Sequence, residues 1–203
     1  MGIGLSRWVA TGDFFGVPLS AISDAIGVLG LVGGSLLALT HRRRADDMAR
    51  QTRVGDVAAG LCDELSGQWA AEGGRCRVLV LRYDRTRGGR WLANVEHERT
   101  EGVRRLALAW DAELTDPSYV TEVIDAMAKG SLKWVDVAGL EPDSDLARLL
   151  VRDHLAGSQL ARVSSSKREL RILAVDAVVQ PTPEQLTTID YAARRIRAIL
   201  RRR

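Results

Sequence analysis

The sequence predicts an α/β domain, of the α+β kind, carried behind a single N-terminal transmembrane helix. Three features point there. An apolar run from Val17 to Thr40 is closed by Arg42, Arg43 and Arg44. Paired runs of alternating polar and apolar residues are separated by glycines. In three later stretches apolar residues recur every three or four positions. A run of the first kind is long enough to cross the ~30 Å hydrocarbon layer as one helix. Alternation with period two marks strands, and the three-or-four spacing marks amphipathic helices.

The apolar run decides the expected topology. Basic residues gather on the cytoplasmic side of a membrane span. Here Arg42, Arg43, Arg44 and Arg50 follow the run, whereas only Arg7 and the start amine precede it. The remainder of the chain is therefore expected in the cytoplasm, at the inner membrane. Trp8, Phe14 and Phe15 fit an aromatic belt at the outer interface, in a short extracytoplasmic segment over residues 1–16 that forms an interfacial segment or a short amphipathic helix. A cleaved signal peptide fits less well, because mixed residues precede the run and arginines follow it. A buried core helix would leave the aromatic belt unexplained.

Within the span, assigned to residues 17–41, Ser23, Gly27, Gly30 and Gly34 fall on one stripe, and Gly30 with Gly34 makes a GxxxG. Small residues on one face let two helices approach closely, which is how helices associate in lipid. Self-association through this stripe is the expectation. Asp24 lies near the outer end. A carboxylate there is either an interfacial acid in contact with headgroups or a polar contact across a helix bundle or pore.

From Ala45 the pattern becomes that of a polar helix, with Met48, Val54, Val57, Ala58, Leu61, Leu65 and Trp69 along one face and Gly73-Gly74 as its stop. A basic juxtamembrane and connecting helix is assigned to 42–72, and the domain to 73–203 with its first helix from about 54. Arg75 to Asp84 and Arg90 to Arg99 alternate about a glycine-containing turn, the pattern of a hairpin. Val103 to Leu114 reads as a further strand. Asp116-Pro117 opens a helix through Ala128. Leu132 to Val137 is a short strand, and Asp145 to Leu155 is a helix with Leu146, Leu149, Leu150 and Leu155 on its apolar face, ended by Gly157. Ser158 to Ser164 and Arg168 to Val178 form a second hairpin, whose second run is the most strand-like and reads as central. Thr182-Pro183-Glu184-Gln185 caps a final helix that ends in arginines, where they favour the helix dipole.

Composition excludes more than it selects. The formal charge of +3 over 203 residues owes much to Arg42 to Arg44 and Arg201 to Arg203. Arginines beside a membrane are explained by topology and by anionic lipid, so no nucleic acid is expected. Cys62 and Cys76 show no metal spacing and are expected as packing thiols. His41, His97 and His154 stand outside any nucleophile motif, and Asp143-Ser144-Asp145 suits a helix cap better than a metal. No phosphate-binding glycine pattern occurs. The expectation is no enzyme, with no catalytic residue, no metal and no cofactor. Trp91, Trp110 and Trp134 are expected as core, with pocket walls the alternative.

The succession of elements resembles the GAF domain, over roughly Val54 to Leu200. The features that carry it are the entry helix Asp46 to Ala71, the hairpin RVLVLRYD with WLANVEHE, the middle helices after Pro117 and Asp145, the closing run RELRILAVDA, and the terminal helix after Thr182-Pro183. The resemblance implies a central antiparallel sheet backed by the first and last helices. It also implies room for a small ligand on the opposite face. It transfers no site residue, because no chromophore-binding cysteine, cyclic-nucleotide motif or redox cysteine set is present. Two functions follow. The first is a membrane sensor or regulator with a cytoplasmic GAF-like domain, acting through a possible small-molecule ligand or an unidentified protein partner and through homo-oligomers. The second is a holin-like pore-forming effector whose soluble domain controls assembly of the span.

Overall fold

The computed structural model of the chain describes residues 13–14, 17–89, 91–105, 127 and 130–201, and, of these, the side chains from residue 38 onward except that of Asp145. It divides into two units, Met1–Ala49 and Arg50–Arg203.

In the first unit β1 (Asp13–Phe14) pairs antiparallel with β2 (Val17–Pro18), so that Val17 and Pro18 are extended and the long helix α1 (Leu19–Gln68) begins two residues later than expected. The reason is local: proline disfavours helical backbone in the residue before it, which here is Val17. Expected residues Trp8 and Phe15 lie outside the described residues, and so do the side chains of Phe14, Ser23, Asp24, Gly27, Gly30 and Gly34. Among the residues with described side chains, no helix is long and apolar enough to cross a membrane.

The second unit is a five-stranded antiparallel sheet in the order β4-β3-β7-β6-β5. Its strands are β3 (Cys76–Arg85), β4 (Trp91–Glu101), β5 (Leu132–Asp136), β6 (Gly157–Ser165) and β7 (Glu169–Ala177). The expected central run is indeed the middle strand β7. Two further α-helices are α2 (Asp145–Arg152) and α3 (Pro183–Arg201), with short 3-10 turns at Ala70–Glu72 and Val137–Gly139. Of the strand expected at Val103 to Leu114, Val103, Arg104 and Arg105 are described and are not in a strand, and the rest lies outside the described residues; of the helix expected from Asp116 through Ala128, only Met127 is described, and it is helical.

Alternation along β3 assigns the two faces. Cys76, Val78 and Val80 join Val54, Ala58, Leu61, Leu65 and Trp69 of α1 and Ile189, Ala193 and Ile196 of α3 in one core. Leu79, Leu81 and Tyr83 point the other way, into a second core with Met127, Leu146, Leu149, Leu150 and Leu155. Both faces of the sheet centre are thus covered, which is why β3 and β7 read as near-continuous apolar runs. Trp69 is buried, while Trp91 and Trp134 are half-buried packing residues at the margins of the two cores. Trp110 lies outside the described residues.

Helix α3 starts with a reciprocal cap. Gln185 donates its backbone N–H to Thr182 Oγ1 at 3.4 Å and accepts the Thr182 N–H on its own Oε1 at 2.9 Å. The Trp69 indole N–H donates to the same Gln185 oxygen at 3.3 Å, tying the end of α1 to the start of α3. Cys62 and Cys76 are free, buried thiols, the Cys62 sulfur lying 3.9 Å from the Cys76 carbonyl oxygen.

The end of α2 corrects the sequence reading. The helix stops at Arg152, with His154 at φ 56°. The Leu155 N–H reaches back to the Leu150 carbonyl at 2.9 Å and the His154 N–H to the Val151 carbonyl at 3.1 Å, the paired bonds of a Schellman stop. Glycine usually occupies the left-handed position, so the stop was expected at Gly157. Gly157 instead opens β6, where a Cβ would collide with the Val135 carbonyl oxygen and the Trp134 ring.

Candidate functional site

Two charged residues are buried within the central strands, Arg77 in β3 and Asp176 in β7. The register pairs them directly, on the sheet face opposite α1 and α3. Neither could be buried there alone, since an isolated charge in an apolar interior is strongly unfavourable. Arg77 Nε donates to Asp176 Oδ2 at 2.7 Å and Nη1 to Asp153 Oδ2 at 2.7 Å, with the arginine side chain fully buried. Asp153 follows α2 directly, so one guanidinium links the two central strands to the end of that helix. Nη1 also reaches the Arg104 carbonyl oxygen at 3.4 Å, and Nη2 has no hydrogen-bond partner among the described residues.

The electrostatics are mutually reinforcing. Burial disfavours the charge on Arg77, but Asp176 and Asp153 outweigh it and raise its pKa above the ordinary value. Burial likewise pushes the Asp153 carboxyl up, yet hydrogen bonds from Arg152 and Arg77 prevail and hold it below the usual carboxylate range. Arg152 Nε lies 3.1 Å from Asp153 Oδ1, completing the ring of charge.

Beside this triad is a cavity of about 480 Å³ lined by Arg75, Gly102, Val103, Arg104, Arg152, Asp153 and His154. Its rim is rich in cations, which suits an anionic or hydrogen-bond-accepting group. Among the described residues no cluster of three metal-ligating side chains occurs. Among the described residues of the cavity, none sets a nucleophile beside a base.

On the opposite face α1 meets the sheet through a second polar contact. A one-residue irregularity between Val80 and Leu81 leaves Glu96 without a register partner and turns His97 toward α1. His97 Nε2 lies 2.6 Å from Gln51 Oε1, and Glu96 Oε2 lies 3.0 Å from Arg171 Nε. Burial holds the imidazole below its ordinary pKa, with Glu96 opposing. Farther along, α1 and α3 leave a groove of about 630 Å³ lined by Arg53, Gly60, Glu64, Tyr191 and Arg195 among others, and Tyr191 stands 62% exposed at its edge.

Arg42, Arg43 and Arg44 are exposed on α1 in the first unit. The triad itself escaped the sequence reading. Both strands carry further charges, Arg82, Asp84 and Arg85 in β3 and Glu169 and Arg171 in β7, so nothing local singles out Arg77 and Asp176 as a pair.

No family model matches the sequence, and no curated protein matches it either. Solved structures do. The blue-light-absorbing form of the PixJ GAF domain from Thermosynechococcus elongatus aligns with a TM-score of 0.53 at 17% identity, over 78% of this chain and 88% of that one. A second structure of the cyanobacteriochrome TePixJ GAF domain gives 0.52 at 18%, over 75% and 89%. The GAF domain region of a protein from Geobacter sulfurreducens PCA gives 0.50 at 13%, over 78% and 97%. These likenesses define the fold, which is GAF-like.

Proposed function

We propose that this chain is a membrane-anchored regulatory protein that acts by binding rather than by catalysis. Its GAF-like domain, on the cytoplasmic side, responds to a small ligand or a protein partner at the face of the sheet that carries Arg77. Self-association runs through the small-residue stripe of the span and through the α1–α3 groove. One observation carries this reading: the apolar run and the stripe that packs on the sheet belong to a single helix, Leu19–Gln68. A change in how the sheet holds α1 therefore acts on the same element that carries the anchor. The cation-rimmed cavity beside Asp153 and the exposed Tyr191 at the groove support the ligand and self-association parts respectively.

Gly30→Leu and Asp24→Ala in the full chain, followed in membranes by chemical cross-linking and by membrane potential, test it. Gly30→Leu is expected to reduce cross-linked oligomers several-fold while the membrane stays sealed with either variant and with the parent. A parent chain that collapses the potential, and variants that restore it, would support a pore instead. Unchanged cross-linking in Gly30→Leu would remove the small-residue stripe as the contact.

A further inference from the structure

Two hairpin turns, far apart in sequence, meet at one end of the sheet. The turn between β3 and β4 carries Arg85, Thr86 and Arg87, and the turn between β6 and β7 carries Lys167 and Arg168. Together these five residues line one depression of about 280 Å³. The Arg85 N–H donates to the Arg168 carbonyl at 2.8 Å, which holds the turns side by side. All four cationic side chains are exposed, and among the described residues none has a carboxylate within ion-pair distance. Arg85 is steadied from beneath by the Trp91 ring, its guanidinium carbon 5.8 Å from the ring centroid.

The position of this patch in the unit matters as much as its charge. Gln51 of α1 lies against His97 and Asp63 against Arg99, while Trp69 reaches Gln185 at the start of α3. Helix α1 thus enters the unit from the hairpin-turn end and runs away from it. Helix α3 runs the other way, and Arg197 donates to the Val163 and Arg162 carbonyls, which leaves the last turn with Arg201 at the same end as the patch. The entry of the chain, the two basic turns and the basic terminus share one end. The acids next to the patch, Asp84 and Glu169, are taken up by Arg82 and Arg171, so the patch offers several cations outside any ion pair, which are complementary to a sheet of negative headgroups.

We infer that this end of the domain is a docking surface for anionic lipid, with Arg85, Arg87, Lys167 and Arg168 as its contacts. The inference rests on the membrane reading above, because the partner is the bilayer in which the anchor sits. Docked in this way, the sheet presents its turns to the headgroups and keeps the Asp153 cavity away from them.

Hydrogen exchange of the full chain, incorporated into vesicles of phosphatidylcholine alone or with a third phosphatidylglycerol, separates the possibilities. Exchange at residues 85–89 and 166–168 is expected to slow at least ~10-fold in the anionic vesicles only, to recover in 0.5 M salt, and to be unprotected in Arg87→Glu/Lys167→Glu/Arg168→Glu. Circular dichroism of that variant confirms that it folds. Equal exchange in the two lipids overturns the docking surface, as does protection that survives salt or charge reversal. Protection by a soluble polyanion such as polyuridylate, without protection by anionic vesicles, overturns it too. Failure of the anchor reads out separately, as a chain that does not stay with the neutral vesicles.

Discussion

Arg77 is the residue on which the sheet's second face depends. It pairs with Asp176, shares Asp153 with Arg152, and sits fully buried at the centre of the sheet. Replacing it by methionine keeps the volume but strands the Asp176 carboxylate in the core and leaves Asp153 to Arg152, and breaking a buried pair in this way costs about 3–5 kcal/mol. Urea unfolding is expected to show that loss for Arg77→Met, and a loss under about 1 kcal/mol would mean the triad is not held as drawn. The acid limb provides a second check. Because the folded pKa of Asp153 lies below the ordinary value of 3.8, its stabilisation is complete above that value and disappears as pH falls through the lower, folded one. Asp153→Asn is therefore expected to be less stable than the parent at neutral pH, with the deficit shrinking below pH 3.8. A deficit that stays constant with pH would contradict the pairing.

At the scale of elements, β5 is held at the sheet edge through one close approach. Gly157 pairs with Asp136, and it has no room for a side chain between the Val135 carbonyl and the Trp134 ring. The obstacle includes backbone, so it cannot swing aside as a flexible side chain would. Gly157→Ala is expected to destabilise the fold by about 2 kcal/mol and to speed amide exchange in Leu132–Asp136 before the central strands. Unchanged exchange in β5 would refute the contact.

The same glycine shows what could be read from the sequence. Gly157 was expected to stop a helix, since glycine usually fills the left-handed position; the stop instead uses His154, and nothing in the local composition marks a histidine for that task. The amphipathic stripes of α1, α2 and α3, the hairpins and the Thr182 cap were legible because period and capping chemistry are local. The triad was not, because it joins residues 77, 153 and 176 through strand register and a helix end, and pairing across that distance leaves no local pattern. The basic docking end was hidden for the same reason: Arg85 with Arg87 and Lys167 with Arg168 are ordinary turn residues until the sheet order sets them together.

At the scale of the whole molecule, the GAF-like unit Arg50–Arg203 begins on the same helix, Leu19–Gln68, that holds most of the apolar run. The expected membrane span, the cytoplasmic placement of the domain and the self-association stripe all depend on what that run does in lipid. Carbonate extraction and protease protection of the full chain in its native membranes, followed through a tag after Arg203, test this most directly. The account predicts that the chain stays with the carbonate-washed membrane and that the tagged domain is digested only when the cytoplasmic side is exposed. Release of the intact chain into the supernatant without detergent, or digestion of the tag from the outside, would contradict it.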